Sequence, residues 1–181
     1  LRLWSVEVPA AEEANYATIE SRRSLEDLTA VLYPDDSNER GKKTRLMQEY
    51  FFVSAGIQSI VRYYLKLNHP LTMMSEKIAI HINDTHPALC VSELMRLLLD
   101  DHDLPWEQAW AITVKVMSYT NHTIMAEALE KWPIDLFKEV IPRNYQIIEE
   151  IDRRYLEEYA EVHEAALLNR TRIIINGQVH M

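Results

Sequence analysis

The chain of 181 residues is 48% hydrophobic and 26% charged, enough for one good core and one domain or part of one. Its formal net charge of −9 makes nucleic acid and anionic lipid poor partners. With only 3 glycines it has no material for a glycine-rich phosphate loop, and with a single cysteine it can form no internal disulfide. Cys90 sits among apolar residues and reads as a small core side chain.

The opening LRLWSVEV alternates like a strand already under way, so the chain is expected to begin inside a larger fold. Helices are predicted at Asn15 to Leu32 and Gly41 to Lys66, joined through Tyr33-Pro34-Asp35-Asp36. The stretch Ser37 to Lys43 is the most loop-like and reads as a surface connection. A strand follows at Lys77 to Asn83, with Ile78, Ile80 and Ile82 on one face and Ala79 and His81 on the other.

Four polar residues, Asn83-Asp84-Thr85-His86, then precede Pro87, which is predicted to open a helix to Asp100. Its inward stripe would be Cys90, Val91, Leu94, Leu97 and Leu98. Asp84 and His86 therefore fall beyond the carboxyl end of a strand, where open α/β sheets collect ligands. A turn in which Asp84 or Thr85 caps the helix accounts for the same residues.

A further helix, Trp106 to Ser118, is predicted with Trp106, Trp110, Ala111 and Val114 as its buried stripe. The polar cluster Ser118 to Thr123 breaks that pattern. Its asparagine, histidine and hydroxyls suit sugar hydroxyls, but a lone His122 equally suits a structural hydrogen bond. Glu127 to Pro133 places acids beside Trp132, a sugar-binding pairing that also occurs at ordinary helix ends. A long helical stretch from Pro133 to Ala160 is interrupted near Pro142, and IIINGQVHM ends the chain as an apolar run. No segment carries 18 apolar residues in a row, so the chain is expected to be soluble and cytoplasmic. Three possible strands among long helices suit part of an α/β layer.

Several of these segments resemble one family. VLYPDDSNERGKKTRLMQEYFF (Val31 to Phe52), IHINDTHPAL (Ile80 to Leu89), AWAIT (Ala109 to Thr113), YTNHT (Tyr119 to Thr123), EALEKWP (Glu127 to Pro133) and RNYQIIEEI (Arg143 to Ile151) follow the order and spacing of α-glucan phosphorylases. The resemblance implies an α/β fold, a helix-rich portion of the Rossmann-like N-terminal domain of a two-domain, GT-B-like glycosyltransferase. Residues 1–181 would be one partial domain. The implied reaction cleaves a terminal α-1,4-linked glucose with inorganic phosphate, giving α-glucose 1-phosphate, with pyridoxal phosphate as cofactor on a lysine outside this chain.

By the same resemblance His122 would contact the glucose at the cleaved bond, and Asn83, Asp84 and His86 would lie on the acceptor-sugar side. Asp36, Ser37 and Arg45 would belong to a gate loop, and Glu127 to Glu130 to a loop closing on the glucan. The helix at 15–30 resembles one that packs on a second subunit, implying a homodimer. The chain departs from the family pattern at Ser37, Ala126 and Lys131. It carries Arg62-Tyr63 where nucleotide-activated members have an arginine pair, which argues against that type of control. Two other readings are a metal-dependent hydrolase using His81, Asp84 and His86, and a noncatalytic scaffold.

Overall fold

A computed structural model of the chain describes residues 4–6, 19–125 and 129–181. Eight helices and five short strands are present among them. Helix α1 (Ile19–Ala30) packs on α2 (Glu39–Lys66), the longest element. Asn38 ends the intervening loop: its side chain accepts the Gly41 amide at 2.9 Å, supplying one donor-starved helix end with a partner. The expected loop to Lys43 thus stops at Asn38, because the cap lets the helix start two residues before Gly41. Gly41 itself is required there, since a Cβ would lie 1.7 Å from the Asp35 carbonyl oxygen.

Along α2, Leu46, Val53, Ile57, Val61 and Tyr64 are buried at helical spacing and form one wall of the core. A short helix α3 (Met74–Lys77) then leads into strand β1 (Ile80–Asn83). The strand is therefore shorter than the expected Lys77 to Asn83, because Met74 is wholly buried and anchors a helical turn before it. Ile82 is buried and His81 exposed, as the alternation requires.

Pro87 does not open a helix. Residues 85–89 form successive turns, with Ala88 N bonding to Thr85 O at 2.9 Å and Cys90 N to Pro87 O at 3.0 Å. Helix α4 (Cys90–Arg96) begins after them and continues into a wider π turn, Leu97–Asp101. Cys90, Leu94, Leu97 and Leu98 are buried as expected, and burial pushes the Cys90 thiol up to about 11, leaving it an inert core group.

Helix α5 (Trp106–Val116) runs without a loop into strand β2 (Met117–Thr120). This overturns the helix expected through Ser118. The buried stripe is also rotated: Ala109, Ile112, Thr113 and Val116 are covered, whereas Ala111 and Val114 are exposed. Thr113 can be buried because its hydroxyl donates to the Ala109 carbonyl at 2.8 Å. β1 and β2 pair in parallel, Ile80 opposite Met117 and Asn83 opposite Thr120, with α4 and α5 forming the crossover.

Strand β3 (Lys131–Pro133) precedes helices α6 (Ile134–Val140) and α7 (Pro142–Tyr159). The break falls at Ile141, as Pro142 demands, and Pro142 takes the first helical position where its missing amide costs nothing. After α8 (Ala165–Thr171), the terminal run folds into a hairpin, β4 (Ile174–Ile175) and β5 (Gln178–His180). Asn176 and Gly177 both adopt positive φ, 50° and 75°, the turn geometry that matches strand twist. β5 pairs antiparallel with β3 and β4, so the apolar run closes on an earlier strand. Asp152 on α7 fastens this hairpin, accepting the Ile173 amide at 2.6 Å and Arg172 Nη2 at 2.7 Å. At the other end of the chain, Trp4 to Val6 form no strand, and the first residues of the predicted helix, Asn15 to Thr18, lie outside the described residues.

Candidate functional site

The parallel pairing of β1 and β2 brings two polar segments to one place. Both strands end at the same edge, Asn83 beside Thr120, and the Asp84 amide donates to the Thr120 carbonyl at 2.9 Å. One residue further, the Asn83 side-chain oxygen accepts from His122 Nε2. An amide oxygen can only accept, so in this pairing Nε2 is the donor. His81, on the exposed face of β1, is tied to Thr120 Oγ1 at 2.5 Å. Asn83 and His122 thus meet at this strand edge, next to Asp84.

Asp84 has φ 75°, the left-handed region that aspartate tolerates better than most residues. Such backbone conformations cluster at functional sites. Its carboxylate accepts the Thr85 amide at 2.7 Å rather than an amide of α4, whose start has no side-chain cap. The helix-capping account of Asp84 and Thr85 therefore fails.

Beside this edge lies an open groove of about 600 Å³ whose lining includes Asp36, Arg45, Asp84, His86 and Glu130. These five come from the loop before α2, from α2, from the turn after β1 and from the approach to β3. All were singled out in the sequence, and the fold gathers them around one space. Asn83 and His122 adjoin the groove through Asp84 without lining it. Glu127 and Ala126 lie outside the described residues.

Inside the groove, Arg45 Nη2 donates to Glu130 Oε1 at 2.6 Å, and Thr85 Oγ1 donates to Glu130 Oε2 at 3.2 Å. The residue that sequence reasoning missed is Glu49. Burial, reinforced by the neighbouring Glu130 charge, pushes its carboxyl up to about 9 despite the opposing Arg45. Its place one helical turn after Arg45 was the available signal, since residues four apart share a face. The floor of the groove adds Trp132 and Gln178, from strands whose pairing the sequence did not disclose.

The groove is suited to a neutral polyhydroxylated ligand, because it offers carboxylate acceptors, cationic donors and the His86 imidazole around an open space. It holds no constellation for a metal: no group of three or more histidine, cysteine, aspartate or glutamate side chains is placed to bind one among the described residues. His81 points away from Ile82 and is engaged by Thr120, so the proposed His81, Asp84 and His86 ligand set is not assembled.

Comparison with known proteins agrees with this geometry. The carbohydrate phosphorylase family matches over residues 1–181. This chain belongs to that family. It is 52% identical to the glycogen phosphorylase of Bacillus subtilis over 155 residues, covering 86% of this chain and 19% of that protein. To the glycogen phosphorylase of Pasteurella multocida it is 40% identical over 187 residues, covering 98% and 23% respectively. The Saccharomyces cerevisiae glycogen phosphorylase is 42% identical over 159 residues, with 87% of this chain and 18% of that protein covered. The phosphorylase chain thus spans about a fifth of the length of these relatives. Neither the metal-dependent hydrolase nor the scaffold finds support among them. No helix of the described residues is long and apolar enough to cross a membrane.

Proposed function

We propose that residues 1–181 form one partial domain of a glycogen or α-glucan phosphorylase and supply the sugar-binding wall of its cleft. The reaction is transfer of a terminal α-1,4-linked glucose to inorganic phosphate, giving α-glucose 1-phosphate. The observation that carries this reading is the convergence of Asp36, Arg45, Asp84, His86 and Glu130 on one groove beside the carboxyl ends of two parallel strands. In this reading the domain is the Rossmann-like N-terminal half of a two-domain, GT-B-like enzyme, cytoplasmic, and dimeric through the helix that includes α1.

The residues divide the work by chemistry. His122, its ring anchored through Nε2 by Asn83, presents Nδ1 to the hydroxyl of the glucose at the cleaved bond. Asp84, His86 and Glu130 take hydroxyls of the acceptor sugars, and Arg45 with Asp36 orders the entrance. Fixed acceptors of this kind accelerate a reaction when they engage the transition state more strongly than the bound sugar.

The residues here do not fit the pyridoxal phosphate that the family resemblance implies. A Schiff-base lysine needs a desolvated pocket. Every lysine of the described residues is at least partly exposed, and Lys43 is held by Glu139 at 2.5 Å. No residue of this chain is assigned to the cofactor, and no step is assigned through it.

The decisive experiment is His122→Ala in the full-length enzyme. Turnover should fall about a hundred-fold, the loss typical of a misplaced reacting group, while bound pyridoxal phosphate stays stoichiometric. Loss of the cofactor absorbance in that variant would show that His122 serves the cofactor and not the sugar.

A further inference from the structure

One largely buried group beside the groove residue Arg45 has no role in the reading above. The Glu49 side chain is only 9% exposed, and neither of its carboxyl oxygens has a hydrogen-bond donor. Arg45 Nε approaches Oε1 at 3.3 Å without the alignment of a hydrogen bond, having committed Nη2 to Glu130 at 2.6 Å. On its other side Glu49 borders a mainly apolar, open cavity of about 270 Å³ lined by Leu32, Tyr33, Pro34, Phe52 and Val53, which offers its carboxyl no donor.

The charges in this cluster do not balance. A single guanidinium faces the carboxyls of both Glu49 and Glu130, and Asp36 adds a further negative charge near it. Glu130 holds the aligned donors, Arg45 and Thr85, and Glu49 holds none. An ionised carboxylate buried without donors is costly, and protonation removes both the charge and one orphaned acceptor. With a proton, Glu49 also gains a partner, because its hydroxyl can donate to the adjacent Glu130 carboxylate.

We propose that Glu49 is a neutral carboxylic acid that donates its hydrogen bond to Glu130, completing with Arg45 and Thr85 a cradle of three donors that aims the Glu130 carboxylate at a sugar hydroxyl. Glu49 is a positioning residue: it acts on the ligand only through Glu130. The inference rests on the reading of the groove as a glucan site. The titratable groups around Glu49 are Arg45 on its own helix, Glu130 before β3, and Tyr33 and His86 in the shared cavity, while Asp36, Lys42, Asp84 and Lys131 line the groove. The nearest of them are opposed: Glu130 favours the proton on Glu49 and Arg45 disfavours it.

The test is the pH dependence of KM for a maltooligosaccharide acceptor in the full-length enzyme. As pH rises through about 9, Glu49 ionises and Glu130 loses a donor. KM should then rise about ten-fold, the worth of one hydrogen bond to a charged group, with kcat following a separate profile. Glu49→Gln keeps an N–H donor at every pH and should flatten that rise, whereas Glu49→Ala should raise KM already at neutral pH. Infrared difference spectra of wild type against Glu49→Gln should show one protonated carboxyl band at neutral pH. Should Glu49→Gln not fold, titration of that band in the wild type, and its shift in Glu130→Gln, give the same answer. Parallel KM profiles for wild type and Glu49→Gln, or absence of the band, overturn the inference. If Glu130→Gln leaves KM unaltered, the glucan reading of the groove fails first. If Glu130→Gln raises KM while Glu49→Gln keeps the wild-type profile, only the role of Glu49 fails.

Discussion

Glu93 on α4 and Glu49 on α2 are both carboxyls withdrawn from water, yet their surroundings differ in kind. Glu93 is fully buried and receives Ser54 Oγ at 2.7 Å, Asn144 Nδ2 at 3.1 Å and two nitrogens of Arg96 at 3.0 Å. Those partners lie on α2, α7 and its own helix, so the charge joins three packed elements. Glu49 is nearly as buried but has no aligned donor, shares its one cation with Glu130, and borders an open cavity. A polar group saturated from all sides belongs to the architecture. One left short of partners next to a cavity is available for chemistry.

The same substitution at the two sites should therefore have opposite signs. Glu93→Gln replaces a saturated carboxylate by an amide whose NH₂ meets donors, and leaves Arg96 only the more exposed Asp101 at 3.2 Å as its anion. A loss of about 3 kcal/mol is expected, at the lower end for breaking a buried pair, and chemical denaturation measures it. A loss under about 1 kcal/mol would erase the contrast, placing Glu93 among weakly coupled surface pairs.

Glu49→Gln should stabilise the protein, by an amount that grows with pH. The folded-state value is raised to about 9 from 4.5, so across that window the folded protein holds a proton that the unfolded chain has released. Stability contributed by this group is present in full below 4.5 and is lost as pH rises through about 9. Thermal midpoints of wild type and Glu49→Gln should diverge across that range and run parallel above it. Midpoints that stay together would mean that Glu49 is ionised in the fold.

The smallest effect sharpens the comparison from the gate side. Asn38→Ala removes the cap of α2 and should cost about 1 kcal/mol, read as a shift of the denaturation midpoint. Because the capped turn also carries Asp36 to the groove, acceptor KM should rise with it. A stability loss with an unmoved KM would separate the cap from the entrance.

Much of the site could be read from residue order, because it depends on strand ends and on turn-forming residues that announce themselves. Asn83 to His86 follow an alternating run, and Tyr119 to Thr123 interrupt an apolar one. The break at Ile141 was visible in Pro142. Strand β2 was hidden because Met117-Ser118-Tyr119-Thr120 has no flanking glycine or proline and continues directly from a helix. The buried stripe of α5 departs from the expected one because the helix face is rotated: Trp106 is only partly covered and stacks under Arg154 at 4.8 Å, while Ala109 is wholly enclosed. The upward push on the Glu49 carboxyl comes from burial and from Glu130, which arrives from far along the chain, and no local pattern encodes either.

The backbone of Glu130 is held in a way that bears on synthesis. Its carbonyl accepts the Met181 amide at 3.0 Å, and the strand that follows it is paired to β5, the final hairpin strand. As the polypeptide leaves the ribosome, α2 and β1 are complete long before these braces exist. Until the hairpin emerges, Glu130 has no fixed seat beside Glu49, and Arg45 is free to serve Glu49 alone. The nascent Glu49 therefore lacks the neighbouring charge that, second to burial, raises its carboxyl in the finished fold.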